Sequence, residues 1–217
     1  MIQAVIFDMD RLLIDSEPEW DRARAALAQR LGKSWGKADH QAVMGVSTQE
    51  WARYMRDTWD LDMSLADIVA DIVGRMQAAY REKIPFRSNA VAAVELAAAH
   101  YRTALASGSE RSLIDIVTTS PDLAGKFEVV LSADTVERGK PSPDVYLETA
   151  RRLGVPPEHC VCLEDSKNGV LAGLSAGFKV IAVPDEDFPV PQEVLVRADA
   201  VLTSLDAFTL DLLEALD

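Results

Sequence analysis

Two aspartates, Asp8 and Asp10, stand one residue apart directly after the apolar run Val5–Phe7. A strand that is buried on both faces is an almost continuous apolar run, and in open α/β sheets ligands bind just beyond the carboxyl ends of such strands. The two carboxylates therefore mark a candidate site. Taken alone, the pair is better explained by an acidic turn, because Asp is common wherever a strand gives way to a loop.

Polar residues also follow two later apolar runs. Ser107 follows Thr103–Ala106, and Glu164 and Asp165 follow Cys160–Leu163. All strands of a parallel sheet end at the same edge, so these groups are expected to meet the first aspartate pair although they lie far apart in the sequence.

Four carboxylates at one edge would repel each other and take up protons unless a cation neutralised them. A set of oxygen ligands without His or Cys suits a hard cation that retains waters, which is Mg²⁺. For Glu164 and Asp165 alone, the simpler interpretation is a helix start with acidic residues in its first turn.

Lys140 lies in the loop Glu137–Pro143. An isolated lysine is usually just solvated. Beside a carboxylate cluster and the turn Ser107–Ser109, however, a cation and hydroxyl donors are what a phosphoryl group requires.

The elements that must position these groups follow from the periodicity of the chain. After the strand Gln3–Phe7, residues 17–84 carry helical patterns and no convincing strand, whereas residues 85–217 alternate between helices and strands. This alternation predicts an α/β fold, a doubly wound, Rossmann-like parallel sheet. We predict a core of residues 1–16 and 85–217 and an inserted helical cap of residues 17–84, placed where a lid over the strand ends would be. The predicted elements after the first strand are helices near Pro18–Leu31, Thr48–Trp59, Ser64–Lys83, Asn89–Ala99, Glu110–Thr119, Asp144–Leu153, Gly169–Ala176 and Leu205–Leu216, and strands at Thr103–Ala106, Val129–Leu131, Cys160–Leu163, Val180–Val183 and Ala200–Leu202.

Composition limits the classes of function. The chain has 217 residues, 48% of them hydrophobic, and a net charge of -13, which argues against a nucleic-acid or anionic-membrane partner. Its two cysteines, Cys160 and Cys162, are expected to be buried thiols of a reducing compartment. Without a targeting pattern or a long apolar run, we expect a cytoplasmic protein, a monomer or a weak dimer.

In motif order the chain resembles the haloacid dehalogenase superfamily, in particular its phosphatase and β-phosphoglucomutase-like branch with a helical cap. The motifs are Asp8–Asp10, Ser107–Ser109, Lys140–Pro141 and Glu164–Gly169. Each is weak by itself, but four in this order at predicted strand ends or adjoining loops are a strong signal.

The resemblance implies a role for each aspartate. Asp8 would attack phosphorus and become an aspartyl phosphate, and Asp10 would protonate the departing alkoxide and then deprotonate the water that hydrolyses the intermediate. Asp8 would bind Mg²⁺ through its side chain and Asp10 through its backbone carbonyl. Asp165 and, directly or through water, Glu164 would complete the metal ligands.

The same resemblance implies a phosphate site. Ser107 and Gly108 would bind phosphoryl oxygens, and Lys140 would offset charge as the transition state develops. Dehalogenation is disfavoured, because a full metal set would be superfluous for attack on carbon.

One departure from the family pattern follows the second aspartate, where the usual Gly is replaced by Arg11. Gly eases a tight loop, so Arg11 must adopt an allowed backbone conformation there. Its guanidinium would either face substrate or point to solvent, and we expect the solvent-facing orientation.

A second departure concerns the cap. Mutases of this family carry a His near Trp20, and an Arg that holds the second phosphate in the loop aligned with Gly45–Thr48. Here Trp20, Gly45 and Thr48 are candidates to bind substrate. Arg53 or Arg75 would have to take over phosphate binding from the missing Arg. The simpler interpretation is that both residues lie on solvated faces of helices. Trp20, Met44 and Trp51 are also candidates to line an amphipathic pocket, although packing within the cap is the more common role for each.

The sequence therefore predicts a Mg²⁺-dependent phosphomonoester phosphatase that acts on a small phosphorylated metabolite, such as a sugar phosphate. The alternatives are a hexose phosphate mutase of the β-phosphoglucomutase type and, on account of Arg11, a non-catalytic protein that binds phosphometabolites.

Overall fold

A six-stranded, wholly parallel sheet forms the centre of this protein, whose computed structural model describes residues 1–43, 48–185 and 187–216. The strand order is β3-β2-β1-β4-β5-β6, which confirms the predicted doubly wound α/β fold. The strands are β1 (Ala4–Phe7), β2 (Arg102–Ser107), β3 (Val129–Ser132), β4 (Cys160–Glu164), β5 (Lys179–Ala182) and β6 (Ala200–Val201).

Ten α-helices are found in the described residues: α1 (Glu17–Arg30), α2 (Lys37–Val43), α3 (Thr48–Trp59), α4 (Leu65–Glu82), α5 (Ala90–His100), α6 (Arg111–Thr118), α7 (Asp144–Leu153), α8 (Lys167–Ala176), α9 (Gln192–Leu195) and α10 (Leu210–Ala215). The short helices α2 and α9 were not predicted, because neither is long enough to show a clear apolar period. The predicted closing helix is interrupted: a 3₁₀ turn at Leu205–Ala207 precedes α10. Phe208 between them is extended, and its ring packs against that of Phe7.

Strand β1 lies at the centre of the sheet, and every one of its residues is buried. It pairs with β2 on one side and with β4 on the other, with Phe7 opposite Leu105 and Leu163. The register continues past the strand, since the backbone N–H of Asp8 donates to the carbonyl of Leu163 at 3.2 Å. The ends of β1 and β4 therefore lie side by side.

Both cysteines lie on β4 and are buried free thiols, as predicted. They belong to a hydrophobic cluster that includes Ile6, Tyr146 and Val180. Burial raises the pKa of Cys160 to about 12, so its thiol stays protonated at neutral pH.

The chain divides into two compact units. One comprises Met1–Asp15 and Pro85–Asp217 and contains the whole sheet; the other, Ser16–Ile84, contains α1 to α4. In the second unit Leu27 of α1, Met55 of α3 and Ile72 of α4 are fully buried, which gives the helices a core of their own. None of the helices in the described parts of the chain is both long and apolar enough to cross a membrane.

Candidate active site

Three acidic side chains meet where β1 and β4 end. Asp8, Glu164 and Asp165 each offer a carboxylate oxygen, and these atoms all lie within 4.8 Å of one another. The residues are 6%, 0% and 2% exposed, respectively. Such a concentration of buried negative charge is costly, so it requires positive charge close by.

The turn after β4 fixes Glu164. Its carbonyl accepts a hydrogen bond from the N–H of Val183 at 2.7 Å, and Ser166 caps α8 by accepting from the N–H of Gly169 at 3.1 Å. A Cβ atom at Gly169 would overlap the carboxyl group of Glu164. The first turn of α8 therefore forms a cradle for this carboxylate that only glycine leaves open.

Lys140 supplies one positive charge, and it lies in the loop before α7. Its Nζ donates to Asp8 Oδ1 at 2.6 Å, to Glu164 Oε1 at 2.7 Å and to the carbonyl of Ala106 at 2.9 Å. All three ammonium donors are used, so the residue is a fixed bridge between two carboxylates.

Tyr146 is a member of this cluster that sequence reasoning missed. Its hydroxyl donates to Glu164 Oε1 at 2.5 Å, and Lys140 Nζ lies 4.9 Å from the centre of its ring. The only available signal was its place in the first turn of α7, six residues after Lys140.

Asp10 has quite different neighbours from Asp8. Its Oδ2 accepts hydrogen bonds from the hydroxyls of Ser107 at 3.2 Å and Ser109 at 2.6 Å, while its buried Oδ1 has no hydrogen-bond partner among the described residues. Ser107 Oγ also accepts from the N–H of Ser109 at 3.0 Å. Ser109 was not singled out from the sequence, although it belongs to the same turn, in which Gly108 is exposed.

Burial and neighbouring charges shift the pKa values of three charged groups in this cluster. Burial raises the pKa of Asp8 well above its ordinary value; Lys140 opposes this rise, and Glu164 adds to it. Burial likewise raises the pKa of Asp165 to about 7, against the influence of Arg11. For Lys140 burial alone would lower the pKa, but Asp8 and Glu164 reverse the effect and raise it, so the ammonium remains charged.

The residues present fit a hard divalent cation. Asp8, Glu164 and Asp165 contribute only oxygen donors. Burial, with a smaller contribution from the neighbouring carboxylates, raises the pKa of Asp8 and Asp165 although Lys140 opposes the rise, and a bound cation would offset this cost of keeping them ionised. Asp10 does not place its side chain in this group of three.

The expectation that Arg11 faces solvent is wrong. Its Nε lies 2.9 Å from Asp165 Oδ2, and the two side chains are only 15% and 3% exposed. This is an ion pair and not a well-aligned hydrogen bond, since Asp165 Oδ2 has no partner of hydrogen-bonding geometry in the part of the chain that the structure describes. The backbone of Arg11 is left-handed, with φ of 59°, a region that Gly enters without strain. A buried carboxylate attracts the guanidinium more strongly than solvent does.

The proline-rich loop of residues 184–191 supports this arrangement. Phe188 packs under the Arg11 guanidinium at 4.8 Å, and Asp185 is paired with Arg87. Arg87 in turn donates to the carbonyl of Arg11 at 2.8 Å.

The predicted substrate residues of the cap belong to the helical unit. Trp20 lies on α1 with its ring 6.1 Å from that of Trp51, and Thr48 begins α3. Gly45 and Met44 lie outside the described residues. Arg75 forms an ion pair with Asp71 at 2.7 Å, and Arg53 is exposed.

Arg24 is a buried cation of the helical unit that the sequence did not reveal. It is 4% exposed, with its guanidinium 5.2 Å from the ring of Trp20 and 5.7 Å from that of Trp51. Burial lowers its pKa, and Glu17 opposes this effect. Trp20 therefore packs within the helical unit, the simpler of the two roles considered for it.

Comparisons with known proteins agree with this geometry. The sequence profile of a hydrolase family described as haloacid dehalogenase-like hydrolase matches residues 2–177. Hexitol phosphatase B of Escherichia coli (strain K12) is 37% identical over 215 residues, 96% of this chain and 95% of the relative. A phosphorylated carbohydrates phosphatase of Thermotoga maritima is 32% identical over 182 residues, 83% of this chain and 84% of the relative.

Among solved structures, a putative β-phosphoglucomutase from Thermotoga maritima superposes with a TM-score of 0.80 and 28% sequence identity, covering 99% of both chains. Both curated relatives are named phosphatases, in agreement with the predicted enzyme class. The fold, the match over most of the chain and the identity to these relatives confirm the predicted family: the chain belongs to the haloacid dehalogenase-like hydrolases.

Proposed function

We propose that this protein is a Mg²⁺-dependent phosphatase that hydrolyses a small phosphorylated metabolite through an aspartyl phosphate on Asp8. Its membership of the hydrolase family and the names of its relatives support phosphomonoester hydrolysis. Those names also favour a sugar or hexitol phosphate as the substrate class.

The observation that carries the proposal is the contrast between two carboxylates of one loop. Asp8 lies against Lys140 and two further carboxylates, whereas Asp10 is turned to the hydroxyls of Ser107 and Ser109. A nucleophile must be ionised while its neighbouring acid carries a proton. Burial alone raises the pKa of Asp8, but Lys140 opposes this rise and a divalent cation held by the same group would oppose it further, whereas Asp10 lies outside that group.

In the first step a carboxylate oxygen of Asp8 forms a bond to phosphorus while the bond from phosphorus to the substrate oxygen breaks. Asp10 gives its proton to the departing alkoxide, which leaves as the alcohol. Ser109 donates to Asp10 at 2.6 Å and so keeps the acid in one orientation.

In the second step water attacks phosphorus and displaces the Asp8 carboxylate. Asp10, now ionised, takes the proton of the attacking water, which regenerates both side chains and yields inorganic phosphate. Lys140 holds Asp8 through its contact with Oδ1 and offsets negative charge beside the reacting group.

Asp8, Glu164 and Asp165 would hold Mg²⁺ by their side chains, with the backbone carbonyl of Asp10 as a proposed further ligand. When bound, the ion neutralises charge on the phosphoryl oxygens. We propose that Ser107 and Gly108 bind the phosphoryl group, and that Trp20, Gly45 and Thr48 contribute to the choice of substrate.

A hexose phosphate mutase is the second candidate, and the structural similarity to a putative β-phosphoglucomutase supports it. Two positions argue against it. The mutases that this chain resembles carry a His near the position of Trp20 and a phosphate-binding Arg in the loop that includes Thr48, and this chain has neither residue at these positions. Each hydrogen bond from a charged side chain to a second phosphate would contribute about 1.5–3 kcal/mol to binding. Uncharged side chains do not replace this contribution.

The test is phosphate release from a panel of sugar, hexitol and nucleoside monophosphates, with Mg²⁺ or EDTA. We expect turnover that EDTA abolishes, and a loss of at least about a thousandfold in Asp8→Asn, which lacks the nucleophile. Asp115→Asn is the matched control: Asp115 is an exposed carboxylate of the same unit, paired with Arg111, and its variant should retain full activity.

Three results would contradict the proposal. The first is activity of Asp8→Asn equal to that of the Asp115→Asn control. The second is conversion of β-glucose 1-phosphate, with a trace of bisphosphate, to glucose 6-phosphate without phosphate release, which would identify the mutase. Thermal stabilisation by phosphometabolites without any turnover would instead support a binding protein.

A further inference from the structure

Arg11 places a positive charge on one of the three carboxylates of the proposed metal site. Its Nε lies 2.9 Å from Asp165 Oδ2. Both side chains are largely buried, 15% and 3% exposed, so solvent and salt screen their interaction only weakly. Asp165 is therefore engaged by a cation of the protein itself.

Arg11 is held in place at both its backbone and its side chain. The N–H of Arg11 donates to the carbonyl of Ile14 at 2.8 Å, and its own carbonyl accepts from Arg87 at 2.8 Å. Arg87 is anchored by Asp185, and Phe188 lies 4.8 Å beneath the Arg11 guanidinium. The side chain thus has a built position beside Asp165.

Arg11 also changes the charge that a metal ion would meet. The loop and strand ends carry four carboxylates, at Asp8, Asp10, Glu164 and Asp165, and Lys140 contacts two of these. Arg11 lowers the formal charge of the group from three negative to two negative. A divalent ion is bound less tightly by a group with less negative charge.

We propose that Arg11 competes with the divalent cation for Asp165 and thereby weakens metal binding at this site. The inference rests on the proposed function in so far as that function assigns a metal to these carboxylates. It adds a residue that sets the metal concentration at which the site fills.

The expected size of the effect follows from Coulomb's law. Two unit charges about 4 Å apart change a binding constant by about fivefold even at the dielectric constant of water. A divalent ion doubles the interaction energy, while greater separation reduces it. Removing the charge of Arg11 should therefore tighten divalent-ion binding on the order of tenfold.

The experiment titrates the full-length protein with Mn²⁺, a hard cation whose free concentration is read by electron paramagnetic resonance, and then displaces it with Mg²⁺. Arg11→Gln removes the charge and keeps much of the side chain. Arg11→Gly removes the charge and suits the left-handed backbone, so it provides a second variant if the first does not fold. Arg151→Gln is the matched control, because Arg151 is exposed and paired with Glu148 on α7.

We expect both Arg11 variants to bind Mn²⁺ about tenfold more tightly than wild type, with Arg151→Gln unchanged and Arg11→Lys closer to wild type because it keeps the charge. Equal or weaker binding by the folded Arg11 variants overturns the inference. Equal tightening in Arg151→Gln also overturns it, since the effect would then reflect net charge alone.

The outcome is separable from that of the proposed function. If the wild-type protein has no phosphatase activity but the Arg11 variants still bind metal more tightly, the proposed function is disproved and this inference stands. If the protein is an EDTA-sensitive phosphatase but substitution of Arg11 leaves its metal affinity unchanged, the proposed function stands and this inference is overturned.

Discussion

Gly169→Ala tests whether the first turn of α8 positions Glu164. In the interior of a helix this substitution ordinarily stabilises a protein by up to about 1 kcal/mol, because alanine has the higher helix propensity. At Gly169 the added methyl group would overlap the carboxyl group of Glu164, which is fully buried. The carboxylate must therefore leave its cradle.

The displaced carboxylate loses its two short hydrogen bonds, one from Lys140 at 2.7 Å and one from Tyr146 at 2.5 Å, besides a weaker one from Ser166 at 3.4 Å. Hydrogen bonds to charged groups contribute about 1.5–3 kcal/mol each. After the helix-propensity gain is subtracted, we expect the free energy of unfolding to fall by about 2–5 kcal/mol. Mn²⁺ binding should also weaken, because one of the three carboxylates moves.

The assay is urea unfolding followed by circular dichroism, together with a Mn²⁺ titration. Gly74→Ala is the control, since Gly74 lies within α4 and a Cβ there meets nothing within 4 Å. This variant should be equally or slightly more stable than wild type. If Gly169→Ala matches Gly74→Ala in stability and keeps wild-type metal affinity, the cradle has no role in holding Glu164.

Two further predictions concern the charged cluster. Lys140→Met leaves Asp8 and Glu164 without their shared cation. The free energy of unfolding, measured by urea unfolding in EDTA, should therefore fall by about 3–5 kcal/mol. Unchanged stability would contradict the role of Lys140 as a bridge between the two carboxylates. Burial raises the pKa of Asp165 from 3.8 to about 7. At a pH between these two values the Asp165 carboxyl therefore keeps its proton in the folded protein and loses it in the unfolded chain. Unfolding free energy in EDTA should therefore fall as pH rises from 4 to 7, by up to about 4 kcal/mol from this group, and an equal pH slope in Asp165→Asn would refute the assignment.

The main features of the core could be predicted because they depend on local patterns. Val5–Phe7 is a continuous apolar run followed by Asp8, and the periodicity after residue 85 indicates alternating strands and helices. The parallel sheet then follows from the connection rules, and with it the meeting of Asp8, Glu164 and Asp165 at one edge.

The contacts of Arg11, Tyr146 and Arg24 could not be predicted, since each depends at least in part on packing between different elements of the structure. Arg11 contacts Phe188 from a loop that shows only turn residues. Arg24 falls among apolar positions of α1, but nothing in the sequence shows that two indole rings surround it. Such side chains are placed by tertiary structure and leave no period or motif.

The connection order of the sheet has a consequence for synthesis of the chain. Lys140 bonds to Asp8 across 132 residues, and the partners of β1 in the sheet begin only at Arg102 and Cys160. Contacts of such long range form slowly and only after the intervening chain exists. A nascent chain would thus carry the proposed nucleophile, Asp8, early in synthesis but no complete site until Asp165 has left the ribosome. We expect amino-terminal fragments that stop before Asp165 to be inactive.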